Sequence, residues 1–336
     1  MASLEKYYKP WSLSWIIQQG LLVLKQGRLG QVSIKTLWLD FLSFREANKR
    51  MKETSNGFAE TKKPDHYPRI VTCHDVPLGE LSALNQYFDQ VYVINLVRRQ
   101  DRREEMMKKL TGLNIKAEFY PAEDGQSEEN LREFNEYYNS PIDPQNAHEM
   151  EIKLKRKVIV SPGAWGILKT YRSLIREAQG RGFEKILCFE DDVIFAKNFE
   201  KLFIQATDVI SEDWKIIYLG ASQYTWKENV DLIIPERVFK DSHTVRYYYP
   251  LNTYGAFALG LRNTSFSLIL SESDEMKCPI DAGILQKVSN RFIGDCFVLV
   301  PNLVIADVRN SDIRVKRKQI NFAKMVRWDL SLYDTF

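Results

Sequence analysis

The segment Lys185-Ile-Leu-Cys-Phe-Glu-Asp-Asp-Val-Ile-Phe195 sets three consecutive carboxylates, Glu190, Asp191 and Asp192, inside an apolar run. Adjacent carboxylates repel one another, and an ionised carboxylate buried without a partner is strongly disfavoured. A shared cation relieves both costs. Mn²⁺ and Mg²⁺ prefer hard oxygen ligands, often take only one or two protein carboxylates, and complete their shell with phosphates and water. The plainer alternative is a loop of solvated acids that cap a nearby helix or pair with Lys or Arg.

The elements around this segment decide where the carboxylates sit. Ser161 suits a helix cap, Pro162 the first helical position, and Gly180 and Gly182 the exit from the helix. Ala164, Leu168, Tyr171, Ile175 and Ala178 recur between them at helical spacing. Lys185 to Phe189 is then the next strand, with the acids at its carboxyl end. Upstream, VYVINL (Val91–Leu96) reads as a strand, Asp101 to Leu110 as a charged helix and KAEFYPA as another strand. Downstream, KIIYLG (Lys215–Gly220) and GAFALGL (Gly255–Leu261) continue the series. Alternating strands and helices predict an α/β fold with a mostly parallel central sheet. In such sheets ligands bind at the carboxyl ends of the strands.

A chain of 336 residues with 44% hydrophobic residues can bury at least one large core, so disorder is excluded as the default. Its formal charge of +3 provides no global basic field for nucleic acid, and any anionic partner must be held locally. Cys73, Cys188, Cys278 and Cys296 show no metal-binding or disulfide spacing and read as buried thiols. His66, His74, His148 and His243 are scattered and read as structural or surface residues. Residues 1–50 carry a helical pattern of Trp and Leu among Lys and Arg. That pattern fits a helical extension packed on the main domain or a basic amphipathic segment on a membrane surface. No secretory signal is evident, and the uncharged run Pro10 to Leu24 is too short and polar to span a bilayer. A linker or loop is expected at 51–86, the main domain at 87–313, and a basic segment at 314–336 containing Arg314-Val-Lys-Arg-Lys318. A cytoplasmic setting, with contact at the inner face of the plasma membrane, suits this pattern.

Six short motifs in order resemble glycosyltransferase family 25, which includes lipooligosaccharide and procollagen galactosyltransferases. They are Val91–Arg103 with its INL core, Pro121-Ala-Glu-Asp-Gly125, Gly163-Ala-Trp-Gly166, Glu190-Asp-Asp192, Tyr254–Leu259 followed by Pro279-Ile-Asp281, and Pro301 with Ser311-Asp312. The resemblance covers Phe88 to Ile313. The sequence departs from the family pattern at Val97, where the family has Asp, at Ile167, where it has Cys, and at Thr170-Tyr171, where it has Ser-His.

The resemblance implies a GT-A type fold and a metal-dependent inverting transfer of galactose or glucose. The donor would be a UDP-sugar, and the acceptor a hydroxyl of a glycan or lipid-linked glycoconjugate in cell-surface polysaccharide or lipooligosaccharide synthesis. It places Mn²⁺ or Mg²⁺ at Glu190 and Asp192, with Asp191 toward the nucleotide ribose or supporting the ligands; the order within the triplet stays open. Asn95 suits base or ribose hydrogen bonds, and Arg98 and Arg102 suit the diphosphate. Arg99 and Arg103 read equally as solvated helix-face charges. Tyr254 and Gly255 would shape the donor-sugar pocket. Asp281 and Asp312 are the candidate general bases, each also readable as a loop cap. Two other function classes stay open: a metal-dependent phosphotransferase, and a non-catalytic member that binds nucleotide or assists assembly.

Overall fold

A computed structural model describes residues 70–71, 81–145, 147–223, 245–250, 253–292, 294–309, 311–312 and 317–334. The expected helical extension at 1–50, most of the 51–86 linker, Cys73, His66, His74, His243 and the Arg314–Lys316 part of the basic segment lie outside the described residues.

The main sheet has eight strands: β1 (Ile70–Val71), β2 (Gln90–Asn95), β3 (Ala117–Pro121), β4 (Lys185–Glu190), β5 (Ile216–Tyr218), β6 (Arg246–Tyr248), β7 (Ala258–Arg262) and β8 (Cys296–Val300). Their order across the sheet is β1-β3-β2-β4-β7-β5-β8-β6. Strands β2, β3, β4, β5 and β8 run in one direction, while β1, β7 and β6 run against them. The sheet is therefore largely parallel, and GAFALGL supplies the antiparallel β7 between β4 and β5.

Nine α-helices complete the described fold: α1 (Ala83–Tyr87), α2 (Gln100–Gly112), α3 (Glu128–Asn139), α4 (Glu149–Leu154), α5 (Pro162–Gly180), α6 (Phe199–Val209), α7 (Asn263–Ser273), α8 (Leu285–Arg291) and α9 (Gln319–Val326). Side-chain alternation along the strands builds a core on each face. Val91, Val93, Leu187 and Phe189 join Met106 and Leu110 of α2 and Phe199 and Phe203 of α6 in one core. Tyr92, Ile94, Ile186 and Cys188 join Leu168, Tyr171 and Ile175 of α5 and Phe266 of α7 in the other. Burial of both strand faces explains why these segments read as nearly continuous apolar runs. It also leaves the strand ends as the places where charge can reach solvent.

The chain leaves β2 toward β3 on one side through α2, and reaches β4 on the other side through α5. The carboxyl ends of β2 and β4 thus flank a topological switch point. Helix α5 begins as its sequence predicts, with the Ser161 hydroxyl accepting from the Ala164 N–H and Pro162 in the first turn. Its first turn lies against the Glu123–Gly125 loop so closely that a Cβ on Gly125 would stand 2.2 Å from the Pro162 carbonyl oxygen. A Cβ on Gly166 would stand 2.4 Å from that of Glu123. Thr170 ties the same loop, accepting from the Glu123 N–H at 2.9 Å and donating to the Gly166 carbonyl at 2.8 Å.

This contact is backbone on backbone, so neither side can yield cheaply. Gly125→Ala and Gly166→Ala are each expected to cost about 1–3 kcal/mol in urea denaturation. Gly180→Ala, where an added Cβ meets nothing within 4 Å, should be neutral or slightly stabilising.

Candidate functional site

The three-carboxylate segment ends β4 at the switch point. Glu190 closes the strand, its N–H donating to the Phe257 carbonyl, and Asp191 and Asp192 form the turn into the short strand Val193–Phe195. That strand pairs antiparallel with Val304–Ala306, and the Asp307 N–H donates to the Asp192 carbonyl at 2.6 Å. The pairing carries the chain onward so that Ser311 and Asp312 lie over the same point. An open cleft results, bounded by Leu96 and Arg98 after β2, by the 122–126 loop, by Gly163 and Ile167 of α5, and by Glu190–Asp192 and Ser311–Asp312.

The centre of this cleft is electrostatic. The Nη1 atom of Arg102 lies 2.8 Å from Asp191 Oδ1, 3.4 Å from Asp192 Oδ2 and 3.3 Å from Asp312 Oδ2. Asn95 Nδ2 donates to the other Asp191 oxygen at 2.7 Å, so both oxygens of Asp191 are engaged within the protein. Arg98 pairs with Asp124 at 2.7 Å and approaches Asp312 at 3.5 Å, while Arg99 spans Asp101 and Asp312. Six carboxylates line the cleft (Glu123, Asp124, Glu190, Asp191, Asp192 and Asp312) against the guanidinium groups of Arg98 and Arg102.

The titration of the buried acids follows first from burial and then from that excess of acids. Burial pushes Asp192 up to about 7; Arg102 opposes the shift, and Asp191, Asp307 and Asp312 add to it. Asp191 is likewise raised, by burial foremost, with Arg102 and Asn95 opposing. Arg102 is desolvated, which works against its charge, but Asp192 and Asp191 outweigh this and hold it above the ordinary arginine value. The Oδ1 atom of Asp192 is buried without a hydrogen-bond partner among the described residues. Such a lone carboxylate oxygen is the position where a cation fits.

Among the described residues no three His, Cys, Asp or Glu groups converge as a complete metal cage. Asp192, with Glu190 beside it, fits a hard divalent ion that takes one or two protein oxygens and draws the rest of its shell from phosphate and water.

The structure brings together Arg98, Arg102, Glu190, Asp191, Asp192 and Asp312 on this cleft. Asn95 is fully buried and lies outside the cleft lining; it orients Asp191 and donates to the Arg99 carbonyl. Tyr254, Gly255 and Asp281 form a separate group. Tyr254 belongs to the small ladder of Thr253–Tyr254 with Ser222–Gln223, and Gly255 has φ +91, a conformation that favours glycine. The Gly255 N–H donates to Asp281 Oδ2 at 3.0 Å, and the Ala282 N–H donates to Asp281 Oδ1 at 2.7 Å.

The alternative of solvated helix charges fails for Arg99 and Arg103. Arg99 clasps Asp312, and Arg103 is buried with its guanidinium 4.3 Å from the centre of the Phe119 ring. His148 caps α4 and Cys188, Cys278 and Cys296 are buried thiols, as expected from their spacing. Sequence reasoning passed over Lys169, which joins Glu133 and Asn130 at 2.8 Å each behind the 122–126 loop. Its only signal was a cation in the N-terminal half of α5, where the neighbouring positions are mostly apolar.

Residues 88–256 match the sequence model of glycosyltransferase family 25 (LPS biosynthesis protein). The human procollagen galactosyltransferase 2 is 28% identical over 172 residues, covering 49% of this chain and 25% of that protein. A mouse protein named inactive glycosyltransferase 25 family member 3 is 30% identical over 183 residues, covering 49% of this chain and 27% of its own. The human counterpart of that name is 32% identical over 139 residues, or 40% of this chain and 22% of its own. The chain therefore spans about a quarter of the length of these curated relatives.

The raised carboxylate has a measurable consequence. Between its unfolded value near 4 and its folded value of about 7, Asp192 binds a proton in the folded chain that the unfolded chain has lost. Its contribution to stability is thus present at low pH and disappears as pH rises through that window. Metal-free Asp192→Asn should be more stable than the parent in urea denaturation at pH 8, with the difference closing toward pH 4. Parallel pH profiles for the two chains would contradict the assignment.

Proposed function

The chain belongs to glycosyltransferase family 25, and from that premise we propose that it transfers galactose or glucose from a UDP-sugar to a hydroxyl of a glycan acceptor. The proposal includes inversion at the anomeric carbon, a divalent cation, and a place in cell-surface polysaccharide or lipooligosaccharide synthesis. The observation that carries it is the acid-rich cleft at the switch point, with one buried Asp192 oxygen lacking a hydrogen-bond partner among the described residues. So many carboxylates would repel a bare diphosphate, whereas a diphosphate arriving with Mn²⁺ or Mg²⁺ would be attracted. The five co-directional strands, with a ligand cleft at their carboxyl ends, support the GT-A type reading.

A divalent cation at Asp192 and Glu190 would neutralise charge on the nucleoside diphosphate leaving group. The protein supplies the positioning. Asn95 and Arg102 hold Asp191 in place, and Asp191 in turn keeps Arg102 aimed along the strand end. Arg98 lies on the cleft wall, 42% exposed in its side chain, and can exchange Asp124 for a phosphate oxygen. Of the two candidate bases we favour Asp281 for accepting the acceptor hydroxyl proton. Asp312 is surrounded by Arg98, Arg99 and Arg102, whose guanidinium groups occupy both of its carboxylate oxygens.

A second reading, nucleotide binding without transfer, draws support from Thr170 and Tyr171. Where the family pattern has Ser-His, these residues perform structural tasks: Thr170 ties the 122–126 loop, and the buried Tyr171 hydroxyl donates to the Ala256 carbonyl at 2.5 Å. The inactive relatives point the same way.

Release of UDP from UDP-galactose and UDP-glucose, followed with and without Mn²⁺, separates these readings. The transferase reading predicts cation-dependent turnover that Asp192→Ala lowers by about 100-fold or more. Turnover that ignores both cation and substitution would sink it, and binding without turnover would select the second reading.

A further inference from the structure

A larger cavity, about 390 Å³, lies apart from the acidic cleft. Helix α4, Pro250 and Thr253, the π-helical turn Ile280–Ile284 and α8 form its walls. Its volume is of the order of the roughly 300–1,000 Å³ typical of small-molecule sites. Lys153, Thr253, Gln286, Lys287, Ser289 and Asn290 give it a lining rich in hydrogen-bonding groups. The charge there is largely balanced, since Lys287 reaches Glu272 at 2.9 Å and Glu149 at 3.5 Å. The Nε2 atom of Gln286 is buried and has no hydrogen-bond partner among the described residues. A buried amide donor in that state suits an oxygen acceptor such as a ligand hydroxyl.

The position of the cavity relates it to the cleft. Ala282 and Gly283 line it, and Asp281 precedes them in the same turn, fastened to the Gly255 and Ala282 N–H groups. From Gly255 the chain runs directly to the cleft wall: the Ala256 carbonyl accepts from the buried Tyr171 hydroxyl, and the Phe257 carbonyl accepts from the Glu190 N–H. Asp281 therefore stands at the partition between this cavity and the cleft wall that carries Glu190.

We infer that this cavity is the acceptor subsite and takes a neutral, hydroxyl-rich saccharide, with Gln286 and Asn290 hydrogen-bonding its hydroxyls. The lining suits that chemistry. Neutral amide and hydroxyl groups match sugar hydroxyls, Pro250 offers an apolar face to a sugar ring, and a lipid chain would leave the polar lining unsatisfied. The inference rests on the transferase reading above. In the step it implies, the acceptor oxygen forms a bond to the anomeric carbon of the donor as the bond from that carbon to the diphosphate oxygen breaks. The bonding pair leaves with UDP, and the acceptor proton passes to the Asp281 carboxylate.

Saturation-transfer NMR with lactose and methyl β-galactoside, on the full chain loaded with UDP and Mg²⁺, tests the assignment. Gln286→Leu removes the amide donor, and Asn290→Trp fills the mouth from an exposed position, so the second keeps the test valid if the first fails to fold. The expected result is saccharide contact in the parent chain that falls about tenfold in either variant, while the calorimetric affinity for UDP is retained. Saccharide contact undiminished in the folded variants, or absent from a parent chain that binds UDP, overturns the acceptor subsite alone. A parent chain that binds no UDP overturns the transferase reading and this inference with it.

Discussion

One guanidinium group, that of Arg102, stands among three carboxylates drawn from two distant parts of the chain. Asp191 and Asp192 end β4, Asp312 returns from the segment beyond Val304–Ala306, and Arg102 itself lies in the first turn of α2. A cation so placed fastens the two strands that flank the switch point and the segment that crosses over them. Removing the cation from a buried cluster of this kind costs about 3–5 kcal/mol, because the acids around Arg102 lose their compensation. The shape of the cleft depends on that cluster more than on any single apolar contact.

The cluster does not neutralise itself. Arg102 serves three acids at once, one oxygen of Asp192 has no hydrogen-bond partner among the described residues, and the values of Asp191 and Asp192 are raised, by burial foremost and by neighbouring acids in addition. A folded protein tolerates such a deficit where a ligand supplies the missing charge. Family membership and local electrostatics thus lead independently to the carboxyl ends of β2 and β4: the first through the motifs around Asn95 and Asp192, the second through a deficit that a cation-bound diphosphate would relieve.

Much of the scaffold was legible in the sequence because it depends on short-range pattern. Helix α5 starts at Pro162 and ends at Gly180, where the Ser161 cap and the glycines placed it, and β4 follows at Lys185. The site was only partly legible. The acid triplet announced itself through its clash with an apolar strand, yet the local pattern could not show that Asn95 would be buried against Asp191. Arg99 and Arg103 looked like solvent-facing helix charges because their partners, Asp312 and Phe119, are remote in sequence. Asp281 and Asp312 looked alike as acids following apolar segments. Only tertiary contact separates one fastened by backbone N–H groups from one ringed by arginines.

The most direct measurement is a calorimetric titration of UDP into the purified chain, first with Mn²⁺, then with EDTA, and again with Asp192→Ala. Binding that appears with Mn²⁺ and disappears both with EDTA and in the variant is the result expected if Asp192 completes its charge balance through a cation-bound diphosphate. Binding of equal strength without the cation, or no binding under any metal condition, would contradict the account at its centre.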